Sequence, residues 1–361
     1  MPSRRPTPCR PARSCGLASS GDPLAMADAP HAAVSAAKAP SGHAAPPAFA
    51  LFRSIIQGDP MSTDLSHRTV ADEHLALVLE GRAPLVEDGA MGTMLQRTGL
   101  LAPGEPPEGL SLSAPEAVTA VHRAYVEAGA QLVTANTFGA SALKPDAGLS
   151  VDEVFAAAVA CARAAEPRYV AASLGPTGRL LEPWGDLDPD DASGLFAAQA
   201  RAAEAAGADV IVVETMTDLG EAEAAARAAL DVTDLPVFVT LSFGAGGRTM
   251  MGVTPEDAAR ALTGWGVHAA GLNCSVGPRE AAPLAAAMAP LLGCPLIVKP
   301  NAGLPRLEGG QTVYDVGPED FAAAMAPILE AGAAIVGGCC GTTPAHLAAL
   351  AALVAAGPRP A

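Results

Sequence analysis

AGADVIVVET, residues 206–215, contains the end of an alanine-rich helix and the strand that follows it. The glycine of the AGA triplet suits the left-handed conformation that commonly ends a helix. The apolar run after it is continuous rather than alternating, which is typical of a parallel strand covered on both faces of its sheet. The stretch therefore predicts one helix-to-strand junction of an α/β protein.

The same junction recurs along the chain, with AGA triplets also at 128–130 and 331–333. Apolar runs alternate with alanine-rich helical stretches and give eight candidate strands. These strands lie at residues 84–88, 131–136, 169–174, 209–215, 236–243, 268–274, 295–301 and 333–340. Eight β-α units in about 275 residues predict a single-domain (β/α)8 TIM barrel.

A doubly wound open sheet is the alternative to the barrel. Such a sheet usually carries a glycine-rich dinucleotide turn with G-x-G-x-x-G spacing after its first strand. EDGAMGT, residues 87–93, lacks that spacing, so the barrel is favoured.

The first 60 residues differ in composition from the rest of the chain. Residues 1–60 are rich in Ala, Pro, Ser and Gly and show no periodicity, which predicts a disordered extension. A mis-called start, with Met61 as the true first residue, is the alternative. We expect the barrel domain to span 61–361, with its core at about 84–357.

Charge and cysteine content exclude several classes of function. The chain has 22 basic and 38 acidic residues and a net charge of −16, so a basic footprint for nucleic acid or for a membrane surface is missing. No apolar run is long enough for a transmembrane helix. Seven cysteines, an odd number, do not indicate a disulfide framework, so we expect a cytoplasmic protein whose thiols bind metal or do chemistry.

Polar and thiol side chains collect where the predicted strands end. In a barrel, functional residues sit at the carboxyl ends of the strands. The residues at these ends are Asp88, Asn136, Glu214, Ser242, Asn273, Cys274, Lys299, Asn301, Cys339 and Cys340. We expect these side chains to share one mouth of the barrel.

Three of these residues form a candidate metal site. Cys274 ends the sixth strand and Cys339-Cys340 ends the eighth, so one strand separates them in a closed barrel. Three thiolates suit tetrahedral zinc, and three protein ligands leave the open position of a catalytic site. Cys294 precedes the seventh strand, so we expect it at the opposite end of the barrel. The alternatives are buried structural cysteines or a vicinal disulfide.

The charged residues also have two interpretations each. Asp88 and Glu214 face the same mouth as the thiols and can bind a substrate ammonium, or they cap a loop or pair with an arginine. Lys299 can act as the Schiff-base lysine of an aldolase, although a paired lysine on the outer wall is the favoured interpretation.

Several motifs resemble one known family. They are GLNC (271–274), GGCCGTTP (337–344), EDGAMGTML (87–95), TANTFGAS (134–141), VVETMTD (212–218), GGRTMMG (246–252) and NAGLP (301–305). Together they resemble the homocysteine S-methyltransferase family, above all the homocysteine-binding barrel of cobalamin-dependent methionine synthase. The resemblance covers about 84–357.

The resemblance implies a role for each strand-end residue. Cys274, Cys339 and Cys340 would hold Zn²⁺, the homocysteine sulfur would become a further zinc ligand, and Asn301 would occupy the metal until substrate displaces it. Asp88 and Glu214 would hold the substrate amino group. Donors around Asn136, Thr137 and Asn273 would serve the carboxylate of homocysteine.

The methyl donor is less well specified than the acceptor. Betaine-using relatives hold the quaternary ammonium with aromatic rings, and Gly139, Thr215 and the stretch 104–110 offer none here. The resemblance favours a methylcorrinoid such as methylcobalamin, which a separate corrinoid protein would carry because no cobalamin-binding module is visible in this chain. S-Methylmethionine or S-adenosylmethionine is the alternative donor. A non-catalytic zinc-binding or thiol-redox module is the hypothesis from another class.

Overall fold

The computed structural model describes residues 72–101, 104–141, 150–308 and 311–357. The expectations of a disordered extension over 1–60 and of a start at Met61 lie outside the described residues.

Ten strands are present in the described part of the chain. They are β1 (Leu85–Val86), β2 (Leu132–Ala135), β3 (Tyr169–Leu174), β4 (Val210–Met216), β5 (Val237–Leu241), β6 (Ala269–Asn273), β7 (Leu296–Lys299), β8 (Arg306–Glu308), β9 (Gln311–Val313) and β10 (Ala333–Val336). β8 and β9 form a separate antiparallel hairpin. Seven of the other eight strands fall within the predicted apolar runs, and β4 extends one residue beyond its run, to Met216.

Helices alternate with these strands. They are α1 (Glu73–Leu79), α2 (Gly92–Arg97), α3 (Leu110–Ser113), α4 (Pro115–Glu127), α5 (Val151–Arg163), α6 (Pro189–Ala205), α7 (Leu219–Val232), α8 (Pro255–Trp265), α9 (Pro278–Met288), α10 (Pro318–Glu330) and α11 (Pro344–Ala356), with a 3-10 turn at Ala289–Leu291. In the AGA triplets, Gly129, Gly207 and Gly332 have φ values of 101°, 84° and 98°, which confirms their left-handed conformation. No helix among the described residues is long and apolar enough to cross a membrane.

The eight-stranded sheet is parallel and has the order β1-β10-β7-β6-β5-β4-β3-β2. Its two edges meet, because a parallel bridge joins Glu87 to Leu132. The amide of Asp88 donates to the Leu132 carbonyl at 3.0 Å, and that of Gln131 donates to the Val86 carbonyl at 2.8 Å. The prediction of a (β/α)8 barrel is therefore confirmed.

The strand residues divide between two hydrophobic clusters. The smaller cluster fills the barrel interior and takes Val210 and Val212 from β4, whereas Ile211 and Val213 belong to the larger cluster shared with the helices. These four β4 residues are all fully buried. Burial on both faces explains why the strands read as continuous apolar runs. Leu75 and Val78 of α1 join the interior cluster.

Candidate metal and substrate site

The three predicted cysteines come together at the carboxyl ends of β6 and β10. The sulfurs of Cys274, Cys339 and Cys340 all lie within 4.8 Å of one another, and Cys274 Sγ is 4.0 Å from Cys340 Sγ. Tetrahedral zinc with Zn–S bonds of about 2.3 Å places its sulfur ligands about 3.8 Å apart. All three are free thiols, so no vicinal disulfide is present. The donor set fits a thiophilic metal ion.

The thiols of the cluster influence one another's protonation. Hydrogen bonds from Cys274 and from Cys339 lower the pKa of the Cys340 thiol to about 3. Hydrogen bonding to Cys274 raises the pKa of Cys339, with burial adding to the effect. One thiolate is therefore favoured in the metal-free cluster, and a bound cation is needed to hold all three as thiolates.

The backbone around the cysteines is held in uncommon conformations. Cys274 and Ser275 have φ values of 61° and 57°, in the left-handed region that residues other than glycine rarely adopt. Gly341 has φ 81°, and a Cβ there would lie 2.2 Å from Tyr314 Cγ. Gly338 does not have a positive φ, but a Cβ would lie 2.5 Å from Thr342 Oγ1. Close packing, as well as φ, therefore requires glycine in this loop.

Asn301 lies on a segment that is hydrogen-bonded to both cysteine loops. The amide of Cys339 donates to the Pro300 carbonyl at 2.8 Å, and the amide of Asn301 donates to the Val276 carbonyl at 2.9 Å. The side chain of Asn301 is buried, and its Oδ1 has no hydrogen-bond partner. An unsatisfied buried acceptor costs about 1–3 kcal/mol, so this oxygen has the character of a ligand for a cation or a donor.

Asp88 is a buried carboxyl group with one oxygen to spare. Its Oδ2 accepts the amide of Thr134 at 2.9 Å, whereas Oδ1 has no hydrogen-bond partner. Burial raises the pKa of Asp88 to about 8; the positive charge of Lys299 opposes the shift and the negative charge of Glu87 adds to it. Asp88 therefore has one buried oxygen that no group of the described chain binds.

Glu214 is bound by three donors. Its Oε1 accepts the Ser173 hydroxyl at 2.6 Å. Its Oε2 accepts Nδ2 of Asn273 at 3.2 Å and faces Nζ of Lys299 at 3.4 Å. Oδ1 of Asn273 in turn accepts the Thr215 amide at 2.8 Å. Asn273 thus fixes Glu214 next to the loop that carries Cys274.

Lys299 is paired, as expected, but inside the barrel rather than on its outer wall. It forms ion pairs with Glu87 and Glu214, and the Glu87–Lys299 pair is almost fully buried. Burial lowers the pKa of Lys299, but the charges of Glu214, Glu87 and Asp88 outweigh that effect and raise it on balance. A Schiff base requires a neutral amine, so this environment disfavours the aldolase interpretation.

Glu87 is a site residue that the sequence analysis missed. Its Oε1 accepts the Thr134 hydroxyl at 2.9 Å in addition to the Lys299 ion pair, and its Oε2 has no hydrogen-bond partner. A signal was available, because Leu85 points into the barrel and residues two apart on a strand share a face. Glu87 therefore also points inward.

Two other predicted residues make their side-chain contacts elsewhere. Nδ2 of Asn136 donates to the Pro107 carbonyl, just before α3, at 2.7 Å and to Ser111 Oγ, within α3, at 3.2 Å. The Thr137 hydroxyl donates to the Ser173 carbonyl at 2.8 Å and accepts the Ser173 amide at 2.9 Å. Neither side chain is hydrogen-bonded to Asp88 or Glu214. The role predicted for both residues, binding the carboxylate of the substrate, stays a prediction.

Sequence comparisons identify one family model and several proteins that are similar to this chain. A sequence model of the family described as homocysteine S-methyltransferase matches residues 85–354. The methionine synthase of Mycobacterium tuberculosis (strain ATCC 25618 / H37Rv) is 35% identical over 318 residues, which are 81% of this chain and 27% of that protein. The methionine synthase of Mycobacterium leprae (strain TN) is 34% identical over 293 residues, 75% of this chain and 24% of that protein. The chain thus spans about a quarter of the length of these relatives.

Solved structures are similar as well. The crystal structure of the homocysteine methyltransferase MmuM from Escherichia coli, in its metallated form, matches with a TM-score of 0.66 and 25% identity. The match covers 78% of this chain and 99% of that one. Because the family model matches most of the chain, the chain belongs to the homocysteine S-methyltransferase family.

Proposed function

We propose that this chain transfers a methyl group to the thiol of homocysteine and so forms methionine. The observation that carries the proposal is the gathering of three cysteine sulfurs beside a group of buried carboxylates. The sulfurs suit a metal that binds a thiol, and the carboxylates suit an ammonium group. Homocysteine has both groups, and membership of the family supports the same reaction.

We propose Cys274, Cys339 and Cys340 as the ligands of Zn²⁺, with Asn301 as a fourth ligand that substrate displaces. Bound Zn²⁺ would lower the pKa of a coordinated thiol and so supply the thiolate nucleophile. The unpartnered Oδ1 of Asn301 supports this assignment. No general base is needed beside the sulfur once its proton has gone.

The carboxylates orient the substrate in this proposal. Asp88 and Glu214 bind the substrate ammonium, which the spare oxygen of Asp88 supports. Asn273 keeps Glu214 in place through its amide. Donors around Asn136, Thr137 and Asn273 remain the proposed partners of the substrate carboxylate. Fixing the amino group in this way positions the thiol for in-line attack on the methyl carbon.

For the donor we propose a methylcorrinoid carried by a separate protein. The matched region makes up only 27% and 24% of the two mycobacterial methionine synthases, which supports a donor bound outside that region. S-Methylmethionine or S-adenosylmethionine is the alternative, supported by the match over 99% of the Escherichia coli homocysteine methyltransferase. Betaine ranks lower because Gly139 and Thr215 provide no aromatic ring for a quaternary ammonium.

Zinc content tests the metal assignment. We expect about one zinc per chain after purification under reducing conditions, and loss of that zinc in Cys274→Ala, because two thiolates hold the ion less firmly than three. Cys294→Ala is the matched control: Cys294 is also half-buried, but it precedes β7 at the other end of the barrel. Metal analysis of both variants gives the answer. A zinc-free protein with a reducible Cys339–Cys340 disulfide would support the redox-module hypothesis instead.

A donor panel tests the reaction. Zinc-loaded protein and homocysteine are incubated separately with methylcobalamin, S-methylmethionine, S-adenosylmethionine and betaine, and methionine is measured. We expect the highest turnover with methylcobalamin. Turnover with a sulfonium donor alone would select the alternative, and turnover with betaine alone would contradict our ranking. A zinc-containing protein that produces no methionine from any donor would count against the transferase.

A further inference from the structure

We propose that Lys299 is a positioning residue that sets the specificity of the site for a thiol bearing an ammonium group. It acts by holding Glu214 within a cage of three carboxyl groups, Glu87, Asp88 and Glu214, in which Glu87 Oε2 and Asp88 Oδ1 have no hydrogen-bond partner. This inference rests on the proposed function, in which the amino group of homocysteine binds Asp88 and Glu214.

The cage is built at the carboxyl ends of three strands. Glu87 and Asp88 follow β1, Glu214 belongs to β4, and Lys299 ends β7. Lys299 bridges the cage because Nζ pairs with Oε1 of Glu87 and lies 3.4 Å from Oε2 of Glu214. All four residues are less than 9% exposed, so solvent screens these charges little.

The charges in the cage do not balance. Three carboxyl groups face one ammonium, and among the described residues two of the buried oxygens without a hydrogen-bond partner are Oε2 of Glu87 and Oδ1 of Asp88. Buried charges are normally paired and hydrogen-bonded. The orphaned oxygens therefore indicate a cation that arrives from outside the chain, and the substrate ammonium fits that need.

Lys299 is needed to keep the cage in its observed geometry. Without its ammonium, Glu214 would lose its ion pair with Lys299, and a buried carboxylate that no cation holds would turn away from the cage whether or not residue 87 is charged. The remaining donors to Glu214, Ser173 and Asn273, are neutral. Glu214 would then attract a substrate ammonium less strongly. In this proposal Lys299 does not touch that ammonium itself and acts only through Glu214, and the thiol cluster does not touch it either.

A structural role offers a different explanation for the same lysine. Lys299 would then serve only to neutralise Glu87, as in any buried ion pair. Removing one partner of such a pair is destabilising, whereas removing both together is often tolerated. The variants Lys299→Met and Glu87→Gln/Lys299→Met separate the two roles, since the double variant leaves no unpaired charge at residue 87 but still lacks the cation beside Glu214.

The test measures binding and needs no methyl donor. Dissociation constants of zinc-loaded protein are determined by calorimetry, under a non-thiol reductant, for L-homocysteine and for 4-sulfanylbutanoate. The second ligand keeps the thiol and the carboxylate but lacks the amino group. Thermal unfolding and zinc content of each variant are recorded alongside, so that loss of the fold or of the metal is recognised.

We expect the unsubstituted protein to bind homocysteine about a hundredfold more tightly than 4-sulfanylbutanoate. This ratio of dissociation constants corresponds to one charge-assisted hydrogen bond with a buried partner. In both variants the preference should fall at least tenfold, because homocysteine binds more weakly while the analogue binds as before. Recovery of the full preference in the double variant would show that Lys299 only neutralises Glu87. An equal loss for both ligands would also overturn the inference. An unsubstituted protein with no preference would overturn the amino-group role of Asp88 and Glu214 itself.

Discussion

The two oxygens of Asp88 have very different surroundings. Oδ2 is hydrogen-bonded to the Thr134 amide, and Oδ1 is buried with no partner. Burial is the main cause that raises the pKa of Asp88 to about 8. The carboxyl group therefore retains its proton to a higher pH than an exposed aspartate does. A substrate cation that pairs with Oδ1 would replace that proton.

The raised pKa of Asp88 predicts a specific pH dependence of stability. Between the unfolded pKa, 3.8, and the folded value of about 8, the folded chain binds one proton more than the unfolded chain. The free energy of unfolding therefore contains a contribution that is full below about pH 4 and is lost as the pH rises to 8. Asp88→Asn should remove it, which flattens the pH dependence by at most about 1.4 kcal/mol per pH unit.

Urea unfolding of ligand-free protein at pH 5, 6, 7 and 8 measures this effect. Asp152→Asn is a suitable control, because Asp152 is exposed in the first turn of α5. Parallel pH curves for Asp88→Asn and the unsubstituted protein would mean that Asp88 is ionised throughout.

The strands of the barrel show one regular feature that positions the site. On each strand, the residue two positions after a buried interior residue is inward-facing and lies nearer the mouth. Two positions after the last residue of the interior cluster, six strands carry a polar residue: Glu87, Thr134, Ser173, Glu214, Thr240 and Lys299. On β6 that position is Gly271, with the polar Asn273 two positions further on. On β10 it is Gly337, where a Cβ would lie 2.8 Å from the Asp88 carbonyl. One polar layer thus lies between the apolar interior and the cysteines.

A second prediction at the scale of single elements concerns the loop after β10. Gly341 has φ 81°, and a Cβ there would enter the ring of Tyr314. Gly341→Ala should therefore reduce the free energy of unfolding by about 1–3 kcal/mol and weaken zinc retention, because it shifts the neighbouring Cys340. Gly246→Ala is the matched control, since Gly246 has no positive φ and no atom near its Cβ position. Equal stability and zinc content in both variants would contradict this account.

Much of the fold could be read from the sequence, because burial on both faces produced eight continuous apolar runs. The hairpin β8–β9 could not, since Arg306–Glu308 is exposed and gives no hydrophobic signal. Helix α1 was missed because only Leu75 and Val78 are buried in its seven residues. The cysteines were evident from their strand-end positions, whereas the Glu87–Lys299 pair depends on which face of the strand each residue occupies.

At the scale of the whole molecule, stability and the candidate site occupy different layers of the same barrel. The interior cluster draws hydrophobic residues from all eight strands and receives Leu75 and Val78 from α1. The charged cage and the thiols lie at the opposite, carboxyl ends of the strands. A change confined to the interior cluster should therefore alter the free energy of unfolding and leave ligand binding as it was.

Leu75→Ala tests that separation. Leu75 is 3% exposed and packs in the interior cluster, so its truncation should lower the free energy of unfolding by about 2–5 kcal/mol. Zinc content and the dissociation constant for homocysteine should stay within about twofold of the unsubstituted values, because no hydrogen bond or ion pair of the cage involves α1. Urea unfolding and calorimetry on the same preparation measure both. Glu214→Gln should weaken homocysteine binding far more than Leu75→Ala does, while Lys299 keeps Glu87 as its partner. If Leu75→Ala weakened binding as strongly as Glu214→Gln, the polar layer would depend on the packing below it, and the barrel would act as one unit rather than as two layers.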